Sequence, residues 1–302
     1  MSGPGIVVVG SANVDMVVYV QRAPALGETV AGERFTRGPG GKGANQAIAA
    51  ARLGGRAALV GAIGDDDAGA LLRDALTAAG VDVAGLRVST EPTGSAHIVV
   101  DAEGANAIVV VPGANAAVTL SDEDHARIAA ADAVLLQLEV PLGVVVDAAT
   151  AARAAGTKVV LTPAPVQPLP DTLLRAVDVL VLNEHEARGL TGQDDLDVAV
   201  EELAARVADV VVTLGERGCL HRAAGAAPVR RAAFAVDAVD TTGAGDTFAG
   251  ALAVARAEGR PWPEALDWAS AAAALAVTRA GASAAMPDRA AVERLVAAGD
   301  GA

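Results

Sequence analysis

Four short aliphatic runs recur at intervals through the middle of the chain: Val134–Leu138, Lys158–Thr162, Val179–Leu182 and Val210–Thr213. Stretches of helical length fall between them at 142–155 and 195–208, and Asn183-Glu184-His185-Glu186 opens another helix. A strand apolar along its whole length leaves no face for water, so both faces must be covered. Crossover helices provide that cover, and they make successive strands parallel. This alternation predicts a doubly wound α/β fold on a mostly parallel sheet. Ile6–Val9 and Ala57–Ile63 read as further strands of it. Helices are expected from about 42 to 53, after Asp67 to Ala79, and near 246–258, 263–279 and 288–298. Cys219–Arg222 and Val229–Val239 also read as β, and Pro163 to Pro170 as a stiff loop.

Two segments break the alternation with strands alone. Met16–Val20 and Thr29–Thr36 have no helix between them, and Thr93–Val100 and Ala107–Val111 flank the hairpin signal Asp101–Asn106. Isolated two-stranded pieces are marginal in water, so the pieces are expected to join into one small β-sheet. Residues 1–302 read as a single α/β domain with this sheet, 16–36 and 92–111, inserted as a discontinuous lid. Its free face invites a homodimer.

Composition narrows the function. Hydrophobic residues make up 52% but aromatics only 2%, so the core must be Ala, Val and Leu. A net charge of −14 argues against a nucleic-acid partner. The single cysteine, Cys219, excludes an internal disulfide and points to a reducing, cytoplasmic setting. The N-terminal stretch lacks the basic region of a signal peptide. No apolar run approaches the ~18 residues of a membrane span. The four histidines show no metal-ligand spacing. Lysine occurs only at 42 and 158, which singles out Lys42 inside a glycine loop.

The chemistry concentrates in Val236–Gly250. An apolar-rich run stops at a turn with Gly243 and Gly245, Asp246 follows, and a helix begins. The first N–H groups of a helix are unpaired and partly positive, and glycines let a ligand approach them, so such an end suits a phosphate. A carboxylate there repels phosphate. It belongs at the turn either as an ordinary N-cap or as a base for an attacking hydroxyl. Earlier, Gly38-Pro39-Gly40-Gly41-Lys42-Gly43 formally matches G-x-G-x-x-G, but a polar stretch and not a buried strand precedes it. What remains is a glycine loop offering Lys42 and Asn45, the mixture of donors and acceptors a polyol needs. Asn13, Asp15, Glu139, Asn183, Glu186, Thr213 and the 243–246 turn all follow predicted strands. In a parallel sheet those ends share one edge. Hydroxyl-binding groups come from the first half of the chain and phosphate-binding groups from the second, the division expected of a phosphotransferase acting on a polyol.

These motifs resemble the PfkB-type family of sugar kinases and, within it, the ribokinases. Gly40-Gly-Lys-Gly-Ala-Asn-Gln46 resembles one family signature and Asp240-Thr-Thr-Gly-Ala-Gly-Asp-Thr-Phe248 the other. Asn13-Val-Asp15, Gly27-Glu-Thr29, Gly113-Ala-Asn115, Gln137-Leu-Glu139, Pro163-Ala-Pro165, Asn183-Glu-His-Glu186 and Thr213-Leu-Gly215 fall in the expected order. The resemblance covers nearly the whole length. It implies a ribokinase-like fold and ATP-dependent phosphorylation of D-ribose at O5. Asp246 would be the base, also touching the sugar, and the N–H groups of Gly243, Ala244 and Gly245 the anion hole. Asn13, Asp15, Gly41, Lys42, Asn45 and Glu139 would hold the ribose. Asn183, Thr213, Gly215, Gly218 and Gly245 would lie along ATP, and Glu186 with Asn183 would organise Mg2+ through water. Asp240, Thr242, Ala276, Arg279 and Gly281 match a monovalent-cation site, taken by K+. Thr162 stands where the family often has Asn, and Ala285 where a Ser often helps that cation. Another furanose or nucleoside, a non-catalytic sugar sensor and, remotely, an NAD-dependent oxidoreductase are the alternatives.

Overall fold

The computed structural model describes residues 3–299. Met1 and Ser2, the start of the stretch read against a signal peptide, lie outside the described residues. In chain order the elements are β1 (Gly5–Val9), β2 (Asn13–Val20), β3 (Gly32–Gly40), α1 (Lys42–Arg52), β4 (Arg56–Gly64), α2 (Asp67–Ala78), β5 (Leu86–Ser89), β6 (Gly94–Val100) and β7 (Asn106–Val111). Then come α3 (Asp122–Ala129), β8 (Ala133–Leu136), α4 (Leu142–Ala155), β9 (Lys158–Leu161), α5 (Asp171–Ala176), β10 (Val179–Asn183), α6 (Glu184–Thr191), α7 (Leu196–Ala204) and β11 (Asp209–Thr213). The last are β12 (Cys219–Ala223), β13 (Val229–Arg231), α8 (Ala244–Ala257), α9 (Trp262–Ala276) and α10 (Arg289–Gly299). Among the described residues, no helix is long and apolar enough to cross a membrane.

The main sheet has nine strands in the order β13-β12-β11-β10-β9-β8-β1-β4-β5. Strands β5 to β11 along this order run parallel, and β12 and β13 close one edge antiparallel. Alternate residues feed two separate cores. Ile6, Val8, Leu135, Val160, Val181 and Val211 pack under α1, α2, α8, α9 and α10. Val7, Val9, Val134, Leu136, Leu180 and Val212 pack under the helices α3 to α7. That two-sided demand is why these strands read as unbroken apolar runs. The chain builds outward from β1 through β4 and β5, then returns to place β8 on the other side of β1. The β1/β8 junction is therefore the topological switch point, where open α/β sheets hold ligands at the strands' carboxyl ends.

The small sheet has the order β3-β2-β6-β7, so both strand-only segments join as expected. Every residue of β7, from Asn106 to Val111, is exposed, and so is Phe35 on β3.

Several boundaries differ from the sequence reading. Asn13 and Asp15 do not extend the end of β1. They open β2, where Asn13 pairs in register with Gly40 and Gly94, and Asp15 with Gly38 and Ala96. Strand β3 starts later than Thr29 and runs to Gly40, straight into α1. A strand therefore does precede the glycine loop, but it is an exposed antiparallel strand of the small sheet and not a buried parallel one. Residues 232–239 form no strand. Beyond Arg231 the segment has no neighbouring strand, and Val239 instead donates its N–H to the Val277 carbonyl at 2.7 Å. The reading also lacked β5, α3 and α5, each eight residues or shorter.

Helices α1 and α8 lie side by side at unusually close range. A Cβ on Gly250 would stand 2.8 Å from the Ala49 Cβ and 2.9 Å from the Gln46 carbonyl oxygen, so only glycine fits there. This contact decides what the first turns of both helices can touch.

Candidate active site

Asp246 is the third residue of α8 and not its N-cap, so the capping alternative fails; Gly243 is the cap, at φ 76°. A left-handed backbone there closes a tight turn at no Cβ cost, against Ala282. The turn also corrects one expectation: the Ala244 N–H donates to the Thr241 carbonyl at 3.2 Å. Of the three N–H groups expected in an anion hole, only those of Gly243 and Gly245 lack a partner among the described residues. Both glycines border a cleft of about 210 Å³, with Lys42, Thr162, Asn183, Glu186, Thr213 and Asp246 around it.

Because α1 and α8 nearly touch, two short amides of α1 reach the acid of α8. Asn45 Nδ2 donates to Asp246 Oδ2 at 3.1 Å, and Gln46 Nε2 to Oδ1 at 3.1 Å. At the switch point, Ser11 Oγ after β1 donates to Glu139 Oε2 after β8 at 2.5 Å, and the Lys42 N–H donates to the same oxygen at 3.1 Å. Asn115 fixes the next residues: its Oδ1 accepts from the Ala12 N–H at 2.9 Å, and its Nδ2 donates to Asn13 Oδ1 at 2.7 Å. The Asp15 carboxylate lies over the Cα of Gly40. Gly41, at φ 88°, caps α1. Asn13, Asp15, Gly41, Lys42, Asn45, Glu139 and Asp246 thus gather from both halves of the chain around one end of the sheet.

The electrostatics follow from crowding. Asp15, Glu139 and Asp246 surround one ammonium, Lys42. Burial, then Glu139 and Asp246, pushes the Asp15 carboxyl up to about 7, with Lys42 opposing. Burial also raises Asp246, while Lys42, Asn45 and Gln46 hold it back. Asp246 foremost, against the effect of burial, holds Lys42 above the usual lysine range.

Asn183 and Glu186 form a capping box at the start of α6. The Glu186 N–H donates to Asn183 Oδ1 and the Asn183 N–H to Glu186 Oε2, both at 2.8 Å. Glu186 keeps its second carboxylate oxygen free of this cap. Thr213 ends β11 on the cleft, but Gly215 and Gly218 shape the turn beyond it and do not border the cleft. Asp240 accepts from the Thr242 N–H at 2.9 Å and the Gly281 N–H at 2.8 Å, which tethers the loop before α8 to the loop after α9. Burial opposes the charge of Asp240, yet these bonds hold its carboxyl below the ordinary value. Ala276 ends α9 and Arg279 lies two residues past Val277, whose carbonyl accepts from the N–H groups of Val239 and Asp240. No group of three or more His, Cys, Asp or Glu side chains that could hold a metal ion occurs among the described residues.

Ser11, Gln46, Asn115, Gln137 and Thr162 carry the site's supporting bonds. All but Ser11 stand out in the sequence, as parts of motifs or, for Thr162, as a departure from one, but none is assigned a binding or catalytic role there. Their signal was a polar side chain beside or within an apolar run, as with Gln46 opening an alanine-rich helix.

The profile of the pfkB family of carbohydrate kinases matches residues 4–289. The chain is 40% identical over 296 residues to a ribokinase of Haemophilus influenzae, covering 94% of this chain and 95% of that one. It is 42% identical over 294 residues to a ribokinase of Bacillus subtilis, covering 96% and 99%. The solved structure of Arabidopsis thaliana ribokinase complexed with ribose and ATP superposes with a TM-score of 0.91 at 39% identity, covering 97% of this chain and 99% of that one.

Proposed function

The chain belongs to the pfkB family of carbohydrate kinases, and from that premise we propose that it transfers the γ-phosphoryl group of ATP to the primary hydroxyl of D-ribose, giving ribose 5-phosphate and ADP. It is a phosphotransferase with an alcohol acceptor. The observation that carries the reading is the meeting of Asp246, on the first turn of α8, with Asn45 and Gln46 of the glycine-loop helix, beside the open N–H groups of Gly243 and Gly245.

Asn13, Asp15, Gly41, Lys42, Asn45 and Glu139 bind the sugar. The Asn13 and Glu139 side chains are already oriented by Asn115 and Ser11, so little freedom is lost on binding. Asp246 takes the proton of the attacking hydroxyl. The end of α8 and the two glycine N–H groups face the charge that develops on the migrating phosphoryl group. Phosphoryl transfer asks mainly for such positioning and neutralisation. ATP lies along Asn183, Thr213 and Gly245, with Gly215 and Gly218 shaping the loop at its far end.

Mg2+ takes oxygen ligands and keeps several waters. The free Glu186 oxygen and Asn183, both tied to the helix cap, fit a water-mediated hold on such an ion, whose chemistry is neutralisation of phosphate charge. Asp240, kept anionic, and the backbone of Thr242, Ala276, Arg279 and Gly281 fit a monovalent cation such as K+, which would steady the turn before α8. The small sheet acts as a lid over the sugar, excluding water that competes as acceptor. Its exposed face pairs with a second copy. The setting is cytoplasmic, and the acidic surface disfavours nucleic acid.

ADP release measured with ribose, 2-deoxyribose, fructose and nucleosides, each with and without K+, tests the assignment. Ribose is expected to give the highest kcat/KM, with K+ raising turnover. A higher kcat/KM for any other acceptor would replace the substrate, and no ADP release with any of them would remove the activity.

A further inference from the structure

We propose, resting on the kinase reading above, that Gln46 is a positioning residue for Asp246, and that Gln137 and Thr162 fix which end of its amide faces the acid. An amide can present oxygen or nitrogen, and its neighbours decide which. The Thr162 hydroxyl donates to the Leu136 carbonyl at 3.3 Å, so toward Gln46 it can only accept, and it takes one Nε2 hydrogen at 3.0 Å. The other Nε2 hydrogen goes to Asp246 Oδ1 at 3.1 Å. On the far side, Gln137 Nε2 donates to Gln46 Oε1 at 2.6 Å. Turned over, Gln46 would set its oxygen against a carboxylate and a hydroxyl oxygen, and its NH2 against the NH2 of Gln137. Thr162 could bond the turned amide only by giving up the Leu136 carbonyl. The bond to the carboxylate would become a repulsion, and so would the bond to Gln137 in its present orientation. Gln46 and Gln137 are both fully buried, so no bulk water repairs them.

The donors therefore run in one direction, from Gln137 after β8, through Gln46 on α1, to Asp246 on α8. Each bond polarises the next. The direction has a cost at its start: Gln137 Oε1 is buried without a partner among the described residues. Asn45 Oδ1, beside Asp246, is likewise buried without a partner among the described residues, while both Asp246 carboxylate oxygens have a donor. Gln137 also lies where a Cβ on Gly10 would be, so the strand end of β1 leaves room for it. With Asn45 on the other oxygen, Gln46 pins the plane of the Asp246 carboxylate at the border of the cleft. A base that can rotate spends less time in line with the hydroxyl.

Gln46→Met, Gln137→Met and Thr162→Val test this, with two readouts. One is kcat and the ribose KM. The other is the titration of the Asp246 carboxyl carbon by 13C NMR in the ligand-free protein, the resonance being assigned by its loss in Asp246→Asn. The charged groups facing Asp246 are Lys42 on α1, Glu139 after β8, Asp15 on β2 and, across the cleft, Glu186 on α6. None is altered by these substitutions. Gln46→Met is expected to lose ~10- to 100-fold in kcat, the scale of a misplaced reacting group, with the ribose KM little changed. Its titration midpoint should rise, since the anion loses a donor. Gln137→Met and Thr162→Val should move both readouts the same way by less, although neither residue touches Asp246. A lowered melting temperature with kcat and midpoint unchanged in all three variants overturns the proposal. Should Gln46→Met fail to fold, Thr162→Val, of nearly the same shape as the parent, decides on the same criteria. The titration needs no substrate, so it reads this inference even where absent ADP release has removed the kinase reading.

Discussion

At the scale of single residues, the site is governed by too many acids around one base. Asp15, Glu139 and Asp246 share Lys42, and burial with its acidic neighbours raises Asp15 from 3.8 to about 7. A carboxyl whose folded pKa is raised holds its proton more tightly in the folded state. Its contribution to stability is complete below about pH 3.8 and is lost as pH rises through about 7. Asp15→Asn removes that dependence. Its melting temperature should match the parent's in acid and exceed it increasingly from about pH 4 to pH 8, while ribose binding is lost. Differential scanning calorimetry across that range checks this. A constant difference at every pH would mean that Asp15 titrates normally.

At the scale of elements, the small sheet is the part least supported by packing. Its outer strand β7 is exposed along all six residues, an edge that isolated proteins usually cover. Its root is firmer. Asp66, the N-cap of α2, accepts from the Thr93 N–H at 2.8 Å and from its hydroxyl at 2.6 Å, just before β6 begins. A lid that swings from this root is the proposal to test. Hydrogen exchange should show ribose-dependent protection across 16–36 and 92–111, with residues near Thr93 already slow in the free protein. Exchange unchanged by ribose would argue against a lid. The same exposed face gives a second expectation. Ile108→Lys with Val110→Lys places two charges on one side of β7, and sedimentation velocity should then show monomer where the parent shows dimer. A parent that sediments as a monomer at micromolar concentration would remove the dimer.

At the scale of the whole molecule, what was legible depended on how far apart the deciding residues lie. The parallel strands were legible because two-sided burial writes itself into each run, as in Val179–Asn183. The end of β13 was misread because 232–239 looks like a strand but has no partner, and partnership is not a local property. Helix α3 did carry a local sign, the capping box of Ser121 and Asp124, but is only eight residues long. In the site, the glycine loop and the 243–246 turn were legible as motifs. Their joining was not, since Gln46 and Asp246 stand 200 residues apart and meet only because Gly250 lets α8 close on α1. In the proposed mechanism that closure makes one phosphotransfer centre from two half-sites, and Asp246 is where it can be tested. The most direct measurement is the turnover of Asp246→Asn with ribose and ATP, alongside ribose affinity. A kcat lower by ~10²–10⁴-fold with affinity nearly unchanged is the predicted result, on the scale of general-base loss. Turnover close to that of the parent protein would contradict it.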